Sequence, residues 1–317
     1  MGLDDSDTAR LGMALIIVFG LTLIGLAALT LRDAPVGAVV ALTVSAVSPP
    51  ALMAMERGNI DLLVWPWVIL ALWCMSTSRW ISAVPILATA VYLKIFPLGA
   101  VAGVFARRRN AVRTLILAVG ACAVALAVEA DQLERIRSST PQGSVAAWGV
   151  AVIPIAAGLS LSPYAIGVAI LAISTTTGLL WLRVFGAGSV TDAMSSVRRS
   201  VYEDDLTKLV VSAGLGLTLL TYLLGTNSDY RLIVVTILVA GLARCWTNPS
   251  CRRLVTMLVT LQFISYPLRY PAELAGDLIW MAVMPGLLLL AYWLWMPLVL
   301  RGDEVGEATP LIVVPES

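Results

Sequence analysis

Long apolar runs broken by short polar punctuation set the pattern of this chain. Runs at 11–31, 36–55, 61–77, 80–93, 95–106, 111–128, 163–185, 208–225, 231–247, 254–270 and 278–299 read as membrane spans. The segment 146–160 is apolar but short and stops at Ser-Leu-Ser-Pro, so it reads as re-entrant or interfacial. Runs 80–93 and 95–106 are each short for a crossing, and together they are too long for one. Pro97 supplies the break, because it lacks an N–H and disfavours helix at the residue before it. The pattern predicts an all-α, polytopic transmembrane bundle of about eleven spans, each of roughly 20 residues or fewer. It divides the chain into an acidic outer segment 1–10, a transmembrane domain 11–300 and a disordered cytoplasmic tail 301–317.

Composition supports that class. Of the 317 residues 59% are hydrophobic and 13% charged, about half the charged share of a soluble domain. Mean hydropathy is +0.89. A net charge of +1 leaves no nucleic-acid footprint. Histidine is absent, which excludes histidine bases, histidine metal ligands and histidine pH switches. Cys74, Cys122, Cys245 and Cys251 lack metal or disulfide spacing and read as free thiols. The N-terminus has no basic region and is not a signal peptide; its formal fit to a myristoylation pattern is too short to carry weight.

Orientation follows from the basic loops. With 106–113, "ARRRNAVR", placed in the cytoplasm, Arg32, Arg79, Arg244, Arg252 and Arg253 also fall inside. The outer side then receives 1–10, 56–61, 92–94, 129–145, 225–231 and 266–277. The chain reads as a multi-pass plasma-membrane protein whose membrane-edge charge clusters gather on the outer face.

Those clusters hold the candidate chemistry. "ERGNID" puts Glu56, Arg57, Asn59 and Asp61 at the lip of an apolar run, where a charge at bilayer depth costs about 2.5–3.5 kcal/mol. Asn59 and Asp61 also suit a helix start. Lys94 is one of two lysines and lies between apolar runs, as a snorkelling cation or as a partner for phosphate. In "NSDYRL" the turn explains Asn227, Ser228 and Asp229 but leaves Tyr230 and Arg231 beside a long apolar run. Arg269, between Tyr266 and Tyr270, is an interface anchor or a phosphate or sugar contact. Trp65, Trp67, Trp80, Trp293 and Trp295 read as aromatic belts.

In order, "ERGNIDLL", a span, a span ending in "LKIFP" and a short span closed by "RRR" resemble the polyprenyl-phosphate-sugar-dependent GT-C membrane glycosyltransferases, and within them glycosyltransferase family 87. "DYRL" before an apolar span is similar to that family as well. The likeness covers roughly 11–125, and 208–250 loosely. It implies an outward-facing site with a polyprenyl-phosphate hexose, mannose, as donor and a glycan or glycolipid hydroxyl as acceptor. Lys94 would neutralise the donor phosphate, with Arg231 or Arg269 as a second cation. Glu56, Arg57, Asn59, Asp61, Asp229 and Tyr230 would line the substrate pocket. The resemblance requires no nucleotide and leaves a divalent cation open as a cofactor, without a visible ligand set. It puts the catalytic base in a first outer loop after a first helix. Here the acidic "LDDSD" precedes the first span, so the chain reads as lacking that helix and loop, with Asp4, Asp5 and Asp7 nearest the expected base. The alternatives are an inactive relative or fragment, and a lipid-linked-sugar transporter or flippase. A transporter calls for paired broken helices, and one break, around Lys94, is visible.

Overall fold

A computed structural model describes residues 5–56, 61–106, 111–128, 147–148, 163–223, 227–268 and 275–300. The helices are α1 (Asp5–Thr30), α2 (Val36–Ala46), α3 (Pro49–Glu56), α4 (Asp61–Ser76), α5 (Trp80–Leu93), α6 (Ala111–Val128), α7 (Pro163–Phe185), α8 (Ala187–Tyr202), α9 (Asp205–Leu223), α10 (Val235–Ala243), α11 (Pro249–Leu268) and α12 (Ala275–Leu300). Two 3₁₀ segments, Phe96–Ala106 and Asp229–Val234, interrupt them. Strands β1 (Ala147–Trp148) and β2 (Asn227–Ser228) pair antiparallel, with Ala147 opposite Ser228. Apart from these two strand residues, the expected re-entrant segment 146–160 lies outside the described residues, as does the tail 301–317.

The fold is helical, as the pattern predicts, and several of the apolar runs are broken or shortened in it. Among the described residues three stretches are long and apolar enough to cross a membrane: 9–30, 205–223 and 279–296. The expected span 36–55 is two helices, α2 and α3, bent by 44° at Val47–Ser48, and it makes a fourth if counted as one crossing. Pro49 and Pro50 open α3 and withhold two N–H donors from the end of α2, which accounts for the break. Runs 61–77, 80–93 and 231–247 appear as shorter helices. The expected span 95–106 is 3₁₀. At about 2.0 Å per residue that winding carries the segment further than the ~1.5 Å rise of an α-helix would. The described residues thus show three or four candidate crossings, and breaks at Pro49–Pro50 and at Lys94 divide two of the expected runs.

α9 and α10 form the centre. α10 is buried all round, and 83% of the α9 window lies inside the protein, against 22% for α1. A helix apolar on every side belongs in such a position. One apolar cluster joins α9 and α10 to α1, α4, α5 and 96–106, and a second joins them to α8, α11 and α12. Glycines bring the backbones together. A Cβ on Gly216 of α9 would land on the Gly99 carbonyl oxygen, and one on Gly214 would lie 2.6 Å from Leu238 Cα of α10. Small residues at such crossings permit the close packing that holds helices together in lipid. At the periphery Ile81 is 85% exposed and Val36 79%, as suits contact with lipid. Trp65, expected in an aromatic belt, is instead buried, edge-on to Phe19 at 5.6 Å, because α4 turns that face toward α1.

One end of the bundle is held by Arg244. Its Nε donates to Asp204 Oδ2 (3.0 Å) and Thr207 Oγ1 (2.9 Å), and its Nη1 donates to the Thr30 carbonyl (2.7 Å). Asp204 also caps α9 by accepting from the Thr207 amide at 2.9 Å. Burial pushes the Asp204 carboxyl up, but the two Thr207 hydrogen bonds and the Arg244 guanidinium together hold it below the usual carboxylate range. A lowered folded-state value contributes stability above about pH 4, the unfolded value, which is lost as pH falls through the folded value. Asp204→Asn keeps a capping side chain but removes the charge, and is therefore expected to cost up to about 1 kcal/mol at neutral pH, the half-exposed pair being partly screened. The difference from wild type should begin to shrink as pH falls below about 4 and vanish only once pH is below the lowered folded-state value, read in thermal melts in detergent.

Candidate functional site

α4 and α5 form an antiparallel hairpin whose tight turn includes Ser78 at φ 64°, a left-handed position that glycine usually fills. The hairpin's open end therefore sets the first residue of α4 beside the residue that ends α5. Asp61 starts α4, where the helix dipole favours an acid. Lys94 caps α5 in extended conformation, its amide donating to the Ala90 carbonyl at 3.0 Å. Lys94 Nζ lies 3.2 Å from Asp61 Oδ1, and the two side chains are 31% and 4% exposed. A buried carboxylate thus faces a cation that is still open to solvent on one side. One turn into α4, Trp65 Nε1 is buried with no hydrogen-bond partner among the described residues.

The other sequence-derived candidates stand as follows. Glu56 is exposed at the end of α3. Asp5 and Asp7 fall in the first turn of α1, and Asp229, Tyr230 and Arg231 open the 3₁₀ segment that packs along α3. For these five the backbone path alone is described. Asp4, Arg57, Asn59 and Arg269 lie outside the described residues. The structure therefore brings together Asp61 and Lys94. Among the described residues no three Cys, Asp or Glu side chains gather where they could hold a metal ion. The four cysteines are free and buried.

Sequence reasoning missed a second polar group inside the bundle. Ser45 of α2 donates to Gln262 Oε1 of α11 at 2.7 Å. Because a serine has one proton to give, the 2.9 Å contact with Thr236 of α10 runs from the threonine to Ser45. Gln262 Nε2 reaches the Leu232 carbonyl at 3.3 Å. Three residues further along the chain, Ser48 at the bend after α2 and Ser265 of α11 are buried, their hydroxyls without a hydrogen-bond partner among the described residues. The available signal was the placement of single hydroxyl and amide residues in apolar runs, which require partners. Gln262→Ala takes the acceptor from the Ser45 hydroxyl and the side-chain donor from the Leu232 carbonyl, and should destabilise the protein by about 1–3 kcal/mol, read as a lower midpoint in thermal unfolding.

Comparison with protein-family models, with curated proteins and with solved structures finds no match for this chain.

Proposed function

We propose that the chain is a membrane hexosyltransferase that uses a polyprenyl-phosphate sugar, mannose by the sequence resemblance, and an acceptor hydroxyl on the outer face of the plasma membrane. The observation that carries this reading is the Lys94–Asp61 pair, in which a partly open cation is held at a helix break by a buried carboxylate. In this reading the donor phosphate meets Lys94, and Asp61 keeps that ammonium in place before the donor arrives. The acceptor oxygen attacks the anomeric carbon, the bond from that carbon to the phosphate oxygen breaks, and the sugar inverts. The acceptor proton passes to a carboxylate base, and the polyprenyl phosphate leaves with its charge stabilised by Lys94 and by Arg231 or Arg269. Asp4, Asp5 and Asp7 are the proposed source of the base. Glu56, Arg57, Asn59, Asp229 and Tyr230 complete the proposed substrate contacts.

The test is transfer from polyprenyl-phosphate mannose in liposomes containing the full chain and a glycolipid acceptor. Release of polyprenyl phosphate matched by a new glycoside is the expected result. No release by correctly inserted protein, over a range of acceptors and with or without divalent ions, rejects the reading.

The second reading, a lipid-linked-sugar transporter, gains one specific observation. Besides the break at Lys94, the bundle holds a bend at Val47–Ser48, which supplies the second broken helix that the sequence pattern lacked. Movement of the lipid-linked sugar between leaflets without a glycosidic product would favour this alternative.

A further inference from the structure

The basic end of the bundle carries a groove of about 470 Å³ along α11. Trp246 forms one wall. Its ring rests against Gly37 of α2, where a Cβ would approach Trp246 Nε1 to 2.5 Å. The rest of the lining comes from one face of α11. Arg252, Thr256 and Thr260 repeat every fourth residue, and so do Arg253, Met257 and Leu261. This spacing makes two parallel rows on a helix surface. Both arginines are exposed, neither forms an ion pair among the described residues, and no carboxylate lines the groove.

Length and polarity identify the occupant. From Arg252 to Leu261 the rows climb about 14 Å at ~1.5 Å per residue, close to half of the ~30 Å hydrocarbon core. Two guanidinium groups stand at one end, and an indole with apolar and weakly polar side chains leads away from them. The neighbouring helix α2 exposes Val36, Val39 and Val40. A cationic mouth above an apolar channel one leaflet deep matches a phospholipid with a net-negative headgroup. Guanidinium groups recognise phosphate oxygens in pairs, and basic pockets between helices at the cytoplasmic face commonly hold such lipids.

We propose that this groove is a binding site for an anionic phospholipid of the cytoplasmic leaflet, its phosphate on Arg252 and Arg253 and one acyl chain along Thr256, Thr260 and Leu261. The site lies at the end of the bundle away from Asp61 and Lys94, and it does not depend on the transferase reading. The α4–α5 hairpin shows the separation: Trp73, near its turn, lines a cavity with Arg244 and Thr247 beside Trp246, whereas Asp61 and Lys94 lie at its open end.

The experiment is native mass spectrometry of the detergent-released full chain with added phosphatidylglycerol, phosphatidylcholine or inorganic phosphate. Phosphatidylglycerol should be retained roughly tenfold or more over phosphatidylcholine, since two surface arginines each favour an anionic headgroup. The double variant Arg252→Gln/Arg253→Gln should lose that preference, and Thr260→Trp, which fills the channel, should reduce lipid retention with both arginines present. These exposed and groove-lining changes should leave the thermal midpoint near that of wild type. Equal retention of the two lipids, undiminished phosphatidylglycerol binding by the double variant, or inorganic phosphate bound as firmly as the lipid would each overturn the proposal.

Discussion

Lys94→Ala should lower sugar transfer by about 100-fold or more, the scale seen when a preorganised charge that stabilises a departing anion is removed. The same change removes the Lys94 charge from beside the buried Asp61, and breaking a buried pair costs up to about 3–5 kcal/mol. Loss of activity alone would therefore not distinguish a phosphate contact from a structural ion pair. The informative variant is Lys94→Ala/Asp61→Asn, which removes both charges. Its thermal midpoint should recover toward wild type, because both charges of the pair are gone. Its transfer should stay as low as that of Lys94→Ala, because the leaving phosphate still lacks its cation. Recovery of transfer together with stability would show that the pair serves only the fold. Lys94→Arg is a graded third case: it keeps the charge but not the compact point geometry, and its transfer should fall between those of wild type and Lys94→Ala.

A large effect on stability is also expected at Gly216. Its added methyl group would meet the Gly99 carbonyl oxygen and Ala102 Cβ, and neither the backbone nor the short side chain can turn aside. α9 and the 96–106 segment must then separate, opening the contact between the central helix and the segment that follows Lys94. Gly216→Ala should cost about 3 kcal/mol, the upper end for an overpacked core, and Gly216→Val more. Tryptophan fluorescence during thermal unfolding in detergent would read it as a large fall in midpoint. Gly20 of α1 is the control, since a Cβ there meets nothing within 4 Å. Gly20→Ala should leave the midpoint unchanged or raise it. Equal behaviour of the two variants would mean that the close crossing does not hold the bundle together.

The sequence by itself determined the helical class, the apolar character and the principal breaks. Apolar runs and prolines are local features, and Pro97 placed an interruption just after Lys94 because its missing N–H acts on its own helix. The pairing of Asp61 with Lys94 was half legible: short helices joined by a tight turn return the chain to its starting level, but whether the two side chains meet depends on the rotation of each helix. The polar candidates on the outer loops were legible as chemistry, not as an assembled site.

Tertiary structure decided what lies far apart in sequence. Ser45 meets Gln262 across 217 positions, and Arg244 reaches Thr30 across 214. Nothing near either residue names its partner; a buried polar group announces only that it must have one. The status of α9 as the centre and α1 as the rim was equally hidden, since both are apolar enough to span a membrane. Hydropathy cannot separate a face turned to lipid from a face turned to another helix, because lipid tails and leucine side chains are alike apolar. Close approach does separate them. Gly214 and Gly216 admit neighbouring backbones on two sides of α9, whereas Gly12 and Gly20 of α1 face open space. The same residue type therefore marks a crossing in one helix and none in the other, and the difference arises only when the helices pack.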